Sequence, residues 1–129
     1  MTRQIPIVLA TVLLGTNAVF AGDPTAGAQV FKKCFACHAV GEGAQVKVGP
    51  VLNGLIGRKA GTYEGYNYSD ANKNSGLVWD EKTLTTYLKN PQATIPKTKM
   101  VFPGLPKDGD IDDLIAYLKQ FGPDGKPKS

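Results

Sequence analysis

The sequence predicts an all-α protein of three to five short helices, joined by long loops that wrap around a large central group. The 129 residues include 15 glycines and 9 prolines, a composition that favours short elements and turn-rich connections. Apolar residues at 111, 114, 115 and 118 fall on one helix face, whereas no segment alternates as a half-buried strand does. Loops of this length in a small domain need an apolar group on which to pack.

The first 21 residues have the order of a secretory signal peptide. Arg3 precedes an apolar stretch over residues 5–15, and Val19-Phe20-Ala21 offers small or tolerated residues at the cleavage positions. We expect cleavage after Ala21, a mature domain over residues 22–129 and a periplasmic location. An uncleaved anchor is the alternative, and it is disfavoured because no positively charged flank follows Ala21.

Capping residues mark the starts of the first helices. Asp23-Pro24 predicts an N-cap with proline at the first helical position, and the helix can run towards the cysteines that follow. Ser69 could cap a short helix over residues 70–74. Asp80 could cap a longer one, which should stop before Pro91.

The remaining segments are predicted to be loops, apart from one last helix. Residues 38–65 are glycine-rich, and residues 91–106 contain four prolines, so we expect no regular element in either. The apolar face around Ile111 predicts the last helix, which Gly122-Pro123 should end. The tail to Ser129 is expected to be frayed.

The sharpest chemical signal is Cys34-Phe35-Ala36-Cys37-His38. Two thiols three positions apart can add to the two vinyl groups of one haem, and the adjacent His38 then supplies an axial nitrogen to the iron. The alternatives are a thioredoxin-like dithiol, half of a zinc site, or a disulfide. A zinc site needs four ligands, but the chain has two Cys and one His. A dithiol motif would follow a strand, and a disulfide would leave His38 unexplained. Covalent haem c, one per chain through Cys34 and Cys37, is therefore favoured.

Elimination points to the second axial ligand. The only methionines are Met1, which leaves with the signal, and Met100. A methionine in a loop usually only fills space in the core. Met100, however, lies between Pro96 and Pro103, whose rigid backbones can hold the sulfur in place. A His38/Met100 pair raises the reduction potential and leaves no open iron position, which favours electron transfer over catalysis.

The motifs together resemble the monohaem cytochromes c that carry an N-terminal haem motif. The resemblance covers residues 22 to about 121. It is carried in order by Cys34–His38, Gly49-Pro50, Gly57-Arg58, the segment 66–73, Trp79, the segment 87–91, Thr98-Lys99-Met100 and the segment 113–118. The chain is similar to the compact branch that includes mitochondrial cytochrome c and small bacterial cytochromes c2. The resemblance therefore implies the cytochrome c fold around one covalently bound haem.

The resemblance also implies roles for individual residues. Pro50 would hold the proximal His through its carbonyl. Arg58, Tyr68 and Trp79 resemble residues that bond or neutralise the buried haem propionates. Asn72, Tyr87 and Thr98 resemble the polar network beside the methionine ligand. Gly27 and Phe31 resemble residues that pack against the last helix, at Leu114 and Tyr117. For the aromatic residues, simple core packing is the alternative interpretation.

One position departs from the family pattern. Many relatives have glycine where this chain has Lys97. If the backbone there needs a positive φ, lysine strains it modestly, and the Met100 loop would then differ in backbone or in lability.

Charge suggests how the protein meets its partners. The net charge of +4 comes without a dense basic run, so nucleic-acid binding is not expected. By resemblance, seven lysines border the exposed haem edge, whereas four aspartates crowd the start of the last helix, on the far side. The lysines are Lys32, Lys33, Lys47, Lys89, Lys97, Lys99 and Lys107, and the aspartates are Asp108, Asp110, Asp112 and Asp113. Such a dipole would steer the haem edge onto acidic partners, although an ordinary solvated surface is the alternative.

Three functions follow from these observations. The favoured one is a monomeric, soluble periplasmic one-electron carrier between a cytochrome bc1-type complex and a photosynthetic reaction centre or terminal oxidase, with no enzymatic activity. The second is a haem enzyme or gas sensor in which Met100 dissociates. The third is a haem-free dithiol protein.

Overall fold

The computed structural model describes residues 22–128 and contains five helices. They are α1 (Pro24–Phe31), α2 (Asp70–Lys73), α3 (Glu81–Lys89), α4 (Pro91–Thr94) and α5 (Asp108–Leu118). No strand occurs within residues 22–128, which contain only two isolated β-bridges. The predicted all-α class and helix number are confirmed. The predicted signal peptide lies outside the described residues.

Three predicted N-caps are present. The side chain of Asp23 accepts a hydrogen bond from the Thr25 amide, that of Ser69 from Asn72, and that of Asp80 from Thr83. Each bond satisfies one of the amides that a helix start leaves without an internal partner. These caps begin α1, α2 and α3 where the sequence predicts them.

Helices α1 and α5 cross closely at Gly27. A side chain there would collide with the backbone carbonyl of Asp113. The rings of Phe31 and Tyr117 meet 5.3 Å apart, and the Asp23 amide donates to the Asp113 carboxylate over 2.8 Å. The predicted packing of the first helix on the last is therefore confirmed. It places the chain that follows α1 beside the core-facing side of α5, where Ile111, Leu114, Ile115 and Leu118 are buried.

Two predictions about irregular segments are wrong. Residues 91–94 form the one-turn helix α4, although Pro91 begins it. Proline is tolerated there because the first helical amide has no internal partner, and Asn90 caps the turn through the Ala93 amide. The C-terminal tail is not frayed over residues 122–128. Its Lys128 amide donates to the Gln120 carbonyl, and the Gly122 amide donates to that of Lys126.

The C-terminal turn (residues 122–128) also contacts the loop that follows the haem motif. Gly125 packs against the carbonyl of Gly41, and Gly54 donates its amide to the Phe121 carbonyl. The side chain of Asn53 closes the same region, since it bonds both the amide and the carbonyl of Gly41. The loop is thus fixed at both ends, although it has no regular structure.

Candidate functional site

One cavity of about 260 Å³ brings together every residue that the sequence and the resemblance place in the site. These residues come from α1's continuation, the glycine-rich loop, α2, α3 and the proline-rich segment. They are Cys34, Cys37, His38, Pro50, Arg58, Tyr68, Asn72, Trp79, Tyr87, Thr98 and Met100. Their convergence from segments far apart in the chain shows that the fold organises the motifs around a single site.

The haem motif forms a tight turn at the end of α1. The amides of Cys37 and His38 both donate to the Cys34 carbonyl, over 3.0 and 2.9 Å. This turn brings the two cysteines and the histidine to the same cavity. Burial raises the pKa of Cys34 to about 11, and Cys37 adds to the rise. A thioredoxin-like dithiol would follow a strand, whereas Cys34 follows the helix α1.

A zinc site also lacks its ligands. Within residues 22–128, no group of three or more His, Cys, Asp or Glu side chains could hold a metal ion. A structural zinc site requires four such ligands.

The His38 ring is oriented by its second nitrogen. Its Nδ1 lies 2.8 Å from the Pro50 carbonyl, which can only accept, so Nδ1 carries the proton and Nε2 is left with a lone pair. Burial lowers the pKa of His38, and the Pro50 carbonyl only partly opposes this. The ring is therefore neutral at pH 7 and fit to be a ligand.

Gly49 leaves the space in which the His38 ring lies. A Cβ at position 49 would lie 2.5 Å from Cε1 of His38. The Gly49 amide donates to the Cys37 carbonyl over 2.8 Å, which fixes this backbone directly beside the haem motif. Gly49 thus leaves room for the His38 ring, and Pro50 accepts a hydrogen bond from its Nδ1.

The Met100 sulfur belongs to a small hydrogen-bonded group that lines the same cavity. The Tyr87 hydroxyl donates to Sδ of Met100 over 3.3 Å and lies 3.4 Å from Oγ1 of Thr98. The Met100 amide in turn donates to that Oγ1 over 3.3 Å. Because the Tyr87 hydroxyl donates its proton to the Met100 sulfur, the Thr98 hydroxyl is the donor in its contact with the Tyr87 oxygen. Burial raises the pKa of Tyr87, so the phenol stays protonated.

Arg58, Tyr68 and Trp79 line the same cavity, but their partners lie within the protein. The Arg58 guanidinium donates to the carbonyls of Val51 and Asn53, each over 3.2 Å. The Tyr68 hydroxyl accepts from the Tyr63 amide over 3.1 Å. The predicted contacts of these residues with propionates remain predictions.

Asn72 carries an unpaired buried acceptor. Its side-chain oxygen Oδ1 is fully buried and has no hydrogen-bond partner among the described residues. An unsatisfied buried acceptor is costly, and Asn72 lines the cavity. This is what a site shaped for a polar-edged cofactor would leave.

Several lining residues were not predicted. They include Leu52, Leu55, Leu84, Leu88, Phe102 and Tyr66. Most are ordinary apolar residues, and only the helical spacing of Leu84 and Leu88 on α3 marks them as inward-facing. Lys89, predicted at the haem edge, forms an ion pair of 2.7 Å with Asp108, predicted to lie on the far side. The predicted separation of these two charges is therefore wrong.

Comparison with known proteins agrees with this geometry. The family model for cytochrome c matches residues 24–122. The chain belongs to the cytochrome c family. It is 66% identical over 106 residues to cytochrome c2 of Rhodoplanes tepidamans, covering 82% of this chain and 99% of the relative. It is 56% identical to cytochrome c2 of Blastochloris viridis, covering 84% of this chain and 85% of the relative.

Solved structures show the same fold. Cytochrome c2 from Rhodospirillum centenum superposes with a TM-score of 0.75 at 44% identity, covering 79% of this chain and all of that one. Cytochrome cH from Methylobacterium extorquens gives a TM-score of 0.72 at 47% identity, covering 77% of this chain and 99% of that one. The predicted cytochrome c fold is confirmed.

Membership of this family fixes the cofactor and the general activity. The cofactor is one haem c, joined covalently through Cys34 and Cys37. The site fits it: the paired cysteines, the oriented imidazole, the thioether and the unpaired Asn72 acceptor all border one largely apolar cavity. The protein is an electron carrier and not an enzyme. None of the helices in residues 22–128 is long and apolar enough to cross a membrane.

Proposed function

We propose that this cytochrome c is a soluble, monomeric periplasmic shuttle with His38 and Met100 as the two axial ligands. It would take one electron from a cytochrome bc1-type complex and deliver it to a photosynthetic reaction centre or terminal oxidase. The bound haem supplies a one-electron couple at its iron. The signal-like residues 1–21 support export, with the mature domain beginning at Gly22.

The observation that carries this proposal is the independent fixing of two ligand atoms at one cavity. The Pro50 carbonyl holds His38 with Nε2 available, and the Tyr87 hydroxyl holds the Met100 sulfur. Ligands positioned by the fold need little rearrangement when the oxidation state changes, which suits electron transfer. With both positions filled, a small gas molecule finds no free site.

The other lining residues fit supporting roles in this proposal. In this proposal Arg58, Tyr68 and Trp79, which line the cavity, would bond or neutralise the haem propionates, and Asn72 would join Tyr87 and Thr98 in the polar network beside the Met100 sulfur. Arg58 is half-buried, and burial lowers its pKa. A guanidinium keeps its proton in proteins, so Arg58 can still supply positive charge.

A redox titration with recorded spectra tests the proposal. We expect one single-electron transition, low-spin spectra in both states and no carbon monoxide binding by the reduced protein at neutral pH. Carbon monoxide binding under those conditions would instead support a sensor or haem enzyme with a dissociable Met100.

The variant Met100→Ala tests the ligand assignment directly. Haem should stay attached through Cys34 and Cys37, but the low-spin spectrum should be lost, and the reduced variant should bind carbon monoxide. Val46→Ala is the control, because Val46 is exposed and lies outside the residues that line the cavity. A Met100→Ala protein with an unchanged potential and low-spin spectrum would show that another group is the ligand.

A further inference from the structure

Lys97, in the turn that leads into the Met100 segment, adopts a backbone conformation that is unfavourable for lysine. Lys97 has φ 68°, and it is the only non-glycine residue with positive φ in residues 22–128. The Thr98 amide donates to the Ile95 carbonyl over 3.0 Å, so residues 95–98 close a β-turn with Pro96 at its second position. Proline there followed by positive φ defines a type II turn, whose third position favours glycine or asparagine. Lysine carries a steric penalty in this conformation.

The turn is held in place by its neighbours. Ile95 and Thr98 are buried on either side, and the Ile95 amide donates to the Pro91 carbonyl over 2.9 Å. Lys97 itself is exposed. The strain is therefore maintained by the buried ends of the turn and not by the lysine side chain.

The turn connects directly to the sulfur. Thr98 donates its amide to close the turn, and its hydroxyl accepts from the Met100 amide and contacts Tyr87. Lys97 can leave positive φ only if the peptide between Pro96 and Lys97 turns over or the segment moves as a whole. The structure keeps the strained turn, with the Thr98 hydroxyl contacting Tyr87 and accepting from the Met100 amide. The strain therefore raises the free energy of the conformation that holds the sulfur, compared with an opened segment in which Lys97 is free to adopt negative φ.

We propose that Lys97 is a positioning residue whose strained turn weakens the hold of the protein on the Met100 sulfur. The inference rests on the proposed ligation by Met100. Its consequence is a larger population of molecules in which Met100 has left its position, compared with the same chain carrying a residue suited to the turn. The affinity for any external ligand that must displace Met100 rises in proportion to that population.

Imidazole binding to the oxidised holoprotein measures this population, with the iron–sulfur charge-transfer band as the signal. Lys97→Gly removes the steric penalty but makes the opened loop more flexible, and these effects partly cancel. We expect imidazole to bind Lys97→Gly about fivefold more weakly than the wild type. Lys97→Asn should shift affinity in the same direction, since asparagine tolerates this conformation. Amide hydrogen exchange at Thr98 and Met100 in the reduced protein should slow in both variants.

Two matched variants separate strain from charge and from overall stability. Lys97→Gln loses the charge but keeps a side chain at φ 68°, so its imidazole affinity should equal that of the wild type. Gly76→Lys creates the same strain at φ 70°, where an added Cβ meets open space. It should lower the unfolding midpoint without changing imidazole affinity.

The outcomes are distinct. Unchanged imidazole affinity in Lys97→Gly and Lys97→Asn, with the charge-transfer band present in the wild type, would overturn the role of Lys97 alone. An equal change in Lys97→Gln or Gly76→Lys would also overturn it, because charge or overall stability would then be the cause. A wild-type protein without the band would overturn the axial assignment, and this inference with it.

Discussion

At the scale of single residues, the site depends on glycines whose missing side chains leave room for neighbouring groups. Gly49 is the clearest case, because an added Cβ would lie 2.5 Å from Cε1 of His38. The Gly49→Ala variant must move the imidazole or the backbone, and the Pro50 bond to Nδ1 would be lost or lengthened. We expect a loss of stability of about 1–3 kcal/mol and a changed reduction potential, measured by denaturant unfolding and redox titration.

Gly109→Ala is the control for this prediction. Gly109 lies in the first turn of α5, where an added Cβ meets nothing within 4 Å. Alanine there should leave the potential unchanged and stabilise the helix by up to about 1 kcal/mol. If Gly49→Ala matched this control in both stability and reduction potential, the close approach of Gly49 to the His38 ring would not matter for either property.

Prediction from sequence succeeds at this scale where chemistry limits the choice. Cys34, Cys37, His38 and Met100 could be identified because few residue types can bind haem and the chain has few of each. Pro50 and Tyr87 followed from resemblance, and their hydrogen bonds to His38 and Met100 are present in the structure. Leu52 and Leu55 could not be singled out, because an apolar residue in a loop has no periodicity to show which way it faces.

At the scale of elements, local signals predicted the helix starts, but long-range contacts decided the irregular segments. The caps at Asp23, Ser69 and Asp80 are local hydrogen bonds, so the sequence suffices to predict them. The C-terminal turn depends instead on Gly125 fitting against Gly41, some eighty residues earlier in the chain. No local pattern encodes that contact. A tail rich in glycine, proline and lysine is therefore predicted to be frayed, although the structure shows that it is ordered.

The contact between Gly125 and Gly41 can be tested with two matched substitutions. Gly125→Ala adds a methyl group against the Gly41 carbonyl, in a backbone with φ 78°, whereas Gly43→Ala adds one in open space at φ 73°. Both variants carry the backbone penalty of about 1–2 kcal/mol, but only Gly125→Ala adds an overlap of about 1–3 kcal/mol. Thermal or denaturant unfolding should therefore show the larger loss of stability in Gly125→Ala. Equal losses in the two variants would show that the contact between Gly125 and Gly41 does not stabilise the fold.

At the scale of the whole molecule, the cofactor supplies the centre of the fold. The cavity is lined by residues of α1, α2, α3, α5 and the long loops, so a group that fills it contacts nearly every element. The double variant Cys34→Ser/Cys37→Ser cannot attach haem and should lack a cooperative melt and native helicity, because the ligand that stabilises the folded state is gone. Circular dichroism measures both properties, and a cooperative melt of the haem-free chain would contradict this expectation.

The distribution of charge over the whole molecule predicts where a partner docks. Lys33 and Lys99 border the cavity and are exposed, whereas Asp112 is exposed on α5. Charge reversal in Lys33→Glu or Lys99→Glu should slow second-order electron transfer with an isolated bc1-type complex severalfold, mainly through the association rate. Stopped-flow measurements should show the difference shrinking as salt rises, because screening acts within about 10 Å at 0.1 M. Lys126→Glu makes the same change of net charge in the C-terminal turn, outside the residues that line the cavity. Equal slowing in that variant would show that net charge, and not a localised face, governs the encounter.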